Sequence, residues 1–168
     1  MLSRFEKEFG SKNGFQTRVW GPPAWVFLHF ISLNYDEKRS RGYFQFFNSL
    51  KHVLPCGKCR DNYTKIITKG PLKLKMKILE NRKTLNFWLF KVHNKVQRDI
   101  YARTKKKNDI PPFNNNTSSF YKAMKIYEKY RAVCHKKSYG CIKPVKGIKK
   151  CAQINIVPLF KFHKRKLL

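Results

Sequence analysis

The chain has 168 residues, of which 42% are apolar and 15% aromatic, so we expect one domain with its own core. Its formal net charge of +29 predicts nonspecific polyanion binding at low salt, whether that charge serves nucleic acid or reflects only a lysine-rich composition. No apolar run approaches the roughly 18–20 residues of a membrane span, and the charged start Met1–Lys7 does not resemble a signal peptide. We therefore expect no membrane insertion and no export by the usual route.

For the first third of the chain, the residue pattern predicts an arm, a turn and two helices. Residues 1–15 are polar and contain two glycines, so we expect a loose arm. The segment Arg18–Pro23 is typical of a turn, and its two prolines can open a helix. We predict that this first helix runs from Pro23 to about Asn34. The apolar spacing then predicts a second helix from Tyr43 to Leu54.

The middle of the chain predicts two more helices and a link. The third helix starts at the cysteine pair and stops at Gly70-Pro71, a strong terminator. Residues 72–80 alternate apolar residues with Lys as a strand does, but they contain few β-branched residues, so we expect an irregular link. The fourth helix runs from about Thr84 to Lys105. Its core stripe consists of Leu85, Leu89, Val92, Val96 and Ile100.

The last part predicts a loop at 108–116, a fifth helix capped by Ser118 or Ser119, and a tail. From Arg131 onward there are eleven Lys and Arg and no acidic residue, which favours a flexible or partly docked tail. We predict an all-α fold: a four-helix bundle with a short fifth helix and a basic C-terminal tail. Its parts would be an arm at 1–15, the domain at 16–130 and the tail at 131–168.

The segment Pro55–Cys59 carries the clearest chemical signal. Two thiols in a Cys-x-x-Cys spacing can close a small disulfide or share a metal ion. If a helix starts here, its unpaired N–H groups and its dipole favour a thiolate at Cys56, as in redox-active pairs. A zinc knuckle would begin in the same way, so the pair alone leaves both interpretations open. Five cysteines in all leave one without an intrachain partner.

Two further groups of side chains suggest a ligand. Trp25 and His29 are four residues apart and share a helix face, where they could clasp a planar heteroaromatic ring or simply belong to the core. His93 and Gln97 share a face of the fourth helix, with Asn94 beside them. Hydrogen-bonding groups on an apolar helix are costly unless something pairs with them, although a solvated face would also accommodate them.

Two rival interpretations of the cysteine pair come from other classes of protein. A basic nucleic-acid-binding module with a zinc-stabilised Cys-x-x-Cys fits the charge, but zinc needs two more ligands at credible spacing, and we expect no metal site. A thioredoxin-like reductase would need a strand leading into Cys56, whereas the preceding spacing is helical.

Taken in order, Trp20, Trp25 and His29, then the Cys-x-x-Cys pair, then His93-Asn94 followed by Val96, the chain resembles the Erv/ALR family of FAD-linked sulfhydryl oxidases. It looks most like the branch found in large cytoplasmic DNA viruses. The resemblance covers roughly residues 16–130. It implies an FAD-dependent oxidase, usually a homodimer, that forms disulfides in dithiol client proteins and passes electrons to O2 to give H2O2. It also implies a location in the host cytoplasm or the virion.

The resemblance implies a role for each matched position. Cys56 and Cys59 would be catalytic, with Cys56 exchanging with clients and Cys59 facing the flavin. The cofactor-binding residues would be Trp20, Gly21, Trp25, His29, Tyr35, His93, Asn94, Val96 and Gln97. An aromatic of the last helix should meet the adenine, and three residues compete for this role: Phe120, Tyr121 and Tyr127.

The chain departs from the family pattern at three points. Gln97 replaces a usual Asn, Asp36 replaces the Pro often seen after Tyr35, and a structural cysteine pair found in cellular members is absent. Family members often carry a mobile cysteine pair that shuttles electrons to the Cys-x-x-Cys. The tail cysteines could serve in this way or be structural or idle: Cys134, Cys141 and Cys151.

Overall fold

A computed structural model of the chain describes residues 14–104, 115–134 and 140–145. In these ranges about 75% of the chain is helical and little of it is strand, so the all-α prediction is confirmed. The helices are α1 (Thr17–Leu33), α2 (Ser40–Val53), α3 (Gly57–Thr68), α4 (Arg82–Thr104) and α5 (Thr117–Glu128). Short 3-10 turns lie at Glu37–Arg39, Gly70–Leu72 and Met76–Leu79. No described helix combines the length and apolarity that crossing a bilayer requires.

Helix α1 begins six residues before the predicted start. Pro22 and Pro23 lie inside it, and so does the segment that we expected to form a turn. The two prolines cannot donate the N–H bonds to the carbonyls one turn earlier, those of Arg18 and Val19. Both of these residues are exposed, so water can satisfy the carbonyls and the helix continues.

Helices α2 and α3 meet at the proline that separates them. α2 buries Phe47 and Leu50. Leu54 then has extended backbone angles (φ −56°, ψ 133°), because a residue before proline is driven away from the helical region. The chain re-enters a helix at Gly57, with Cys56 as the N-cap, so the predicted start of a helix at the cysteine pair is confirmed.

The lysine-rich link is more ordered than the sequence indicated. Leu74 is buried, and its N–H donates to the Ile67 carbonyl at 2.8 Å. The indole Nε1 of Trp88 donates to the Leu72 carbonyl at 2.9 Å. Most apolar residues of the link therefore pack on the core, namely Leu72, Leu74, Ile78 and Leu79, whereas Met76 is 48% exposed. The lysines at 73, 75 and 77 remain exposed.

Helix α4 is the centre of the bundle. It packs on α1, while α2 packs on α3 and on the 3-10 turn at Met76–Leu79. The main core contains Phe47 and four residues of α4, namely Leu85, Trp88, Leu89 and Val92. Ile100, the last residue of the predicted stripe, is 38% exposed.

Helix α5 closes a second cluster against α1 and α4. This cluster contains Leu33, Phe90, Phe120, Ala123, Met124 and Tyr127. Arg131, just after α5, donates through its guanidinium to the Leu33 carbonyl at 3.5 Å and pairs with Glu128. The end of α5 is thereby joined to the end of α1.

The start of the predicted tail forms a local hairpin. Ala132–Val133 pairs with Lys143–Pro144 as a two-residue antiparallel hairpin, and Cys134 is disulfide-bonded to Cys141 across it. A disulfide stabilises a short hairpin that has too little apolar surface of its own. The third tail cysteine, Cys151, lies outside the described residues, as does most of the predicted arm.

A buried polar pair joins α1 to α4. The Ser32 hydroxyl donates to Asn86 Oδ1 at 2.8 Å, and Asn86 Nδ2 donates to the Ser32 carbonyl at 3.0 Å. Ser32→Ala should lower the free energy of unfolding by about 1–3 kcal/mol, because it leaves a buried amide oxygen without its donor. Ser49→Ala is the control, since that hydroxyl bonds only within its own helix, to Phe46. If urea unfolding shows the same loss of unfolding free energy in the two variants, this role is contradicted.

Candidate active site

Cys56 and Cys59 are disulfide-bonded at the N-terminus of α3. Cys56 is the N-cap residue, and its Sγ accepts the backbone N–H of Cys59 at 3.3 Å. A sulfur at this position faces the positive end of the helix dipole and a backbone donor, both of which stabilise a thiolate. The chain before it is held by the Arg60 guanidinium, which donates to the Leu54 carbonyl at 2.7 Å. Each sulfur-bearing residue is only partly buried, so the disulfide can exchange with an external thiol.

The start of the described chain packs against this disulfide. The Phe15 N–H donates to the Pro55 carbonyl at 2.9 Å. A Cβ on Gly14 would lie 2.6 Å from the Pro55 oxygen, so this close approach requires glycine. Trp20 Nε1 donates to the Phe15 carbonyl at 3.2 Å. Gly14 and Phe15, which we expected to be part of a loose arm, therefore contact the segment that leads into Cys56.

Helix α1 runs from the disulfide to the second half of the site. Thr17 Oγ1 lies 4.0 Å from Cys59 Sγ at the first residue of the helix. Gly21 is buried and Trp20 half-buried on the following turn. Trp25 and His29 come two and three turns after Thr17, about 12 and 18 Å along the axis at 1.5 Å per residue. One helix thus connects the Cys56–Cys59 disulfide to a group of rings.

Two buried histidines form the centre of that group. His29 Nε2 and His93 Nδ1 are 3.1 Å apart, and Gln97 Nε2 is 3.3 Å from His93 Nε2. With the Gln97 amide donating, His93 donates from Nδ1 to His29 Nε2, and the proton of His29 is on Nδ1. His29 Nδ1 is buried and has no hydrogen-bond partner among the described residues.

Burial keeps both rings neutral. It lowers the pKa of His29 to about 3. The pKa of His93 also lies well below its ordinary value, mainly because the ring is buried and to a lesser extent because His29 is close to it. The pair therefore presents one uncharged hydrogen-bonding chain at neutral pH.

Aromatic rings enclose the histidines. Trp25 stacks on His93 with ring centroids 4.1 Å apart and planes 7° apart. Tyr127 stacks on His29 at 4.8 Å. Of the three candidates on α5, Tyr127 is thus the one that reaches this group. Phe120 packs with Phe87 and Phe90 instead, and Tyr121 is 47% exposed.

The remaining predicted residues have different neighbours. Asn94 is buried and donates through Nδ2 to Asn115 Oδ1 at 2.9 Å, just before α5. Val96 packs against the main core. Tyr35 donates its hydroxyl to the Leu79 carbonyl and packs edge-on against Tyr43. The structure therefore places Tyr35 in the core beyond the end of α1 and shows no contact between it and the histidine pair.

The sequence did not select two of the residues found here. Thr17 was missed because the start of α1 was placed too late. Tyr127 could not be preferred over its neighbours, because all three aromatics lie within two turns of α5 and only packing shows which one faces α1. Among the described residues, no group of three potential metal ligands is close enough to hold an ion.

Part of this chain is similar in sequence to known proteins. The Erv1 / Alr family model matches residues 22–115. A mimivirus protein (Acanthamoeba polyphaga mimivirus) named an FAD-linked sulfhydryl oxidase is 41% identical over 81 residues, 46% of this chain and 55% of that protein. A protein of the same description in Invertebrate iridescent virus 3 is 29% identical over 47% of this chain and 54% of its own.

The FAD-linked sulfhydryl oxidase ERV1 of Arabidopsis thaliana is 29% identical over 48% of this chain and 41% of its own. The chain thus spans about half the length of the curated relatives that it matches. The family match covers more than half of the present chain, and it includes both the Cys56–Cys59 disulfide and the histidine pair of α1 and α4. The chain belongs to the Erv1/Alr family.

Proposed function

We propose that this protein is an FAD-dependent sulfhydryl oxidase, which forms disulfides in dithiol client proteins and passes the electrons to O2 with production of H2O2. The proposal rests on one observation above all: helix α1 contacts Cys59 through Thr17 and, two to three turns later, contributes Trp25 and His29 to the ring cluster. The names of the family relatives support the same activity.

The first step is thiol–disulfide exchange. A client thiolate attacks Cys56 Sγ, the Cys56–Cys59 bond breaks, and Cys59 leaves as a thiolate. The second client thiol then attacks the mixed disulfide, which forms the client disulfide and releases Cys56. The helix N-terminus and the Cys59 N–H, 3.3 Å from Cys56 Sγ, make Cys56 a good leaving group. Two electrons and two protons have then moved from the client to the cysteine pair.

The ring cluster fits the adenine end of FAD. A planar ring with nitrogen donors and acceptors can stack beside Trp25 and pair with His29 Nδ1, the orphaned buried atom. The chemistry that FAD supplies when bound is acceptance of two electrons from a dithiol and their transfer to O2. We propose that its other contacts come from Trp20, Gly21, His93, Asn94, Val96, Gln97 and Tyr127.

The apolar surface beside Cys56 is suited to binding a client protein. A hollow of about 360 Å³ opens there and is lined by Phe15, Gln16, Val19, Trp20 and Pro55. Phe15 and Val19 are 76% and 68% exposed. We propose that a client segment lies in this hollow while its cysteine reaches Cys56.

The proposals on assembly and location rest on the resemblance to the family and not on this structure. We propose a homodimer whose oxidase domain spans residues 16–130, acting in the host cytoplasm or the virion as its viral relatives suggest.

For Cys134–Cys141 we favour a bracing role, because this disulfide closes the hairpin that follows Arg131. An electron-shuttling role for the tail cysteines remains a competing hypothesis, tested below.

The visible absorption spectrum tests the function. We expect the purified protein to show a flavin band that bleaches when dithiothreitol is added and recovers as dissolved oxygen is consumed. Denaturation should release FAD in a stoichiometric amount. A colourless protein that stays colourless with added FAD and contains zinc would contradict the proposal. It would support the nucleic-acid-binding module instead.

A further inference from the structure

A groove lined by lysines lies at the end of α3 opposite to the disulfide. It encloses about 350 Å³, and its basic residues are Lys73, Lys75, Lys77 and Lys91. We call these four residues the lysine groove. Cys56 caps the start of α3 and the link begins just after its end at Thr68, so about 18 Å of helix separates the groove from the redox pair.

The core fixes the backbone of the groove. Leu74 is buried between Lys73 and Lys75, and its N–H is bonded to the Ile67 carbonyl. Lys73 and Lys75 have extended backbone angles, so their Cα atoms are about 6.6 Å apart and their side chains leave the same face. Leu79, also buried, anchors the turn that carries Lys77. The alternation of Leu and Lys that looked strand-like in the sequence thus places Lys73, Lys75 and Lys77 along one groove.

The opposite wall of the groove comes from α4. The Lys91 Nζ lies 4.5 Å from the centre of the Phe87 ring, which holds this ammonium over an apolar surface. Glu80 also lines the groove. No described carboxylate lies within 4.0 Å of any of the four ammonium groups, since the described ion pairs all involve other residues. The groove therefore holds four lysines against one carboxylate, that of Glu80, and none of the four is in a described ion pair.

We propose that the lysine groove is a binding site for the phosphate backbone of nucleic acid. A chain with a net charge of +29 attracts any polyanion over a long range, but lysines that follow one another along a backbone held by the core favour an anion with regularly spaced charges. Lysine ammonium groups neutralise backbone phosphates without reading base sequence. Binding should therefore be independent of sequence, steeply dependent on salt, and centred on this face.

Two variants of equal net charge test the site. The groove variant replaces Lys73, Lys75, Lys77 and Lys91 with Gln. The control variant replaces four exposed lysines with Gln: Lys65 on α3, Lys122 and Lys125 on α5, and Lys129 just after α5. Binding of a fluorescein-labelled, mixed-sequence DNA duplex is followed by anisotropy across a series of salt concentrations, with circular dichroism to verify folding.

We expect the groove variant to bind the duplex at least about tenfold more weakly than the wild type does. The slope of the logarithm of the binding constant against the logarithm of the salt concentration should also be shallower by up to about 3.6, because four phosphate contacts are lost. The control variant should change by less than about threefold. Equal losses in the two variants would overturn the proposal, since general charge would then explain binding. Displacement of the duplex by free pyrophosphate at an equal phosphate concentration would overturn it as well, because the ligand would be a small anion. If the groove variant fails to fold, Lys75→Glu against Lys65→Glu gives the same comparison.

Discussion

Cys59→Ser should reduce dithiothreitol oxidation to the uncatalysed background while leaving the flavin content unchanged. Without Cys59, the bond that a client thiolate must break does not exist, and no thiolate remains next to Thr17 at the start of α1. Serine is nearly isosteric and keeps the first turn of α3 intact, so the ring cluster around His29 and His93 should be unaffected. The measurements are oxygen uptake with dithiothreitol and the ratio of flavin to protein absorbance.

The hairpin cysteines are the matched control. The double variant Cys134→Ser/Cys141→Ser removes the other described disulfide, which lies in the segment after α5. Its oxidation of dithiothreitol should equal that of the wild type. Oxidation at the wild-type rate by Cys59→Ser would refute the catalytic assignment. Loss of activity toward a reduced protein, but not toward dithiothreitol, in the hairpin variant would support the shuttle hypothesis.

Acid should destabilise the protein through its buried histidines. In the folded state, burial lowers the pKa of His29 to about 3 and the pKa of His93 well below the ordinary 6.5. Below pH 6.5 the unfolded chain therefore binds protons that the folded chain excludes, and stability falls as the pH falls from 6.5 toward 3. At pH 5 each of the two buried histidines lowers the free energy of unfolding by about 2 kcal/mol relative to neutral pH, or by about 4 kcal/mol for the pair.

Urea unfolding at pH 7.5 and pH 5, at constant ionic strength, measures this loss. In the His93→Gln variant, the glutamine keeps a hydrogen-bonding amide beside His29 but cannot be protonated. Between the two pH values, the free energy of unfolding of this variant should therefore fall by about 2 kcal/mol less than that of the wild type. His52→Gln on the exposed surface of α2 should leave the difference unchanged. The same acid loss in the wild type and His93→Gln would show that the buried pair is not the cause.

Local chemistry explains which features could be predicted from the sequence. The start of α3 was predictable because Pro55 interrupts one helix and Cys56 caps the next. The core face of α4 was predictable from the recurrence of apolar residues up to Val92. The start of α1 was not, since Pro22 and Pro23 suit a first turn and nothing local shows that the exposed carbonyls before them can be left to water.

The site divides in the same way. The cysteine pair at a helix start, the helical bundle, and the shared face of Trp25 and His29 could be predicted from the sequence, because these depend on neighbours within a turn or two. The packing of the helices was needed to show that His29 meets His93, that Tyr127 rather than Tyr121 stacks on His29, and that Tyr35 packs in the core. These facts depend on contacts between residues 44 to 98 positions apart, and the packing of whole helices sets such contacts.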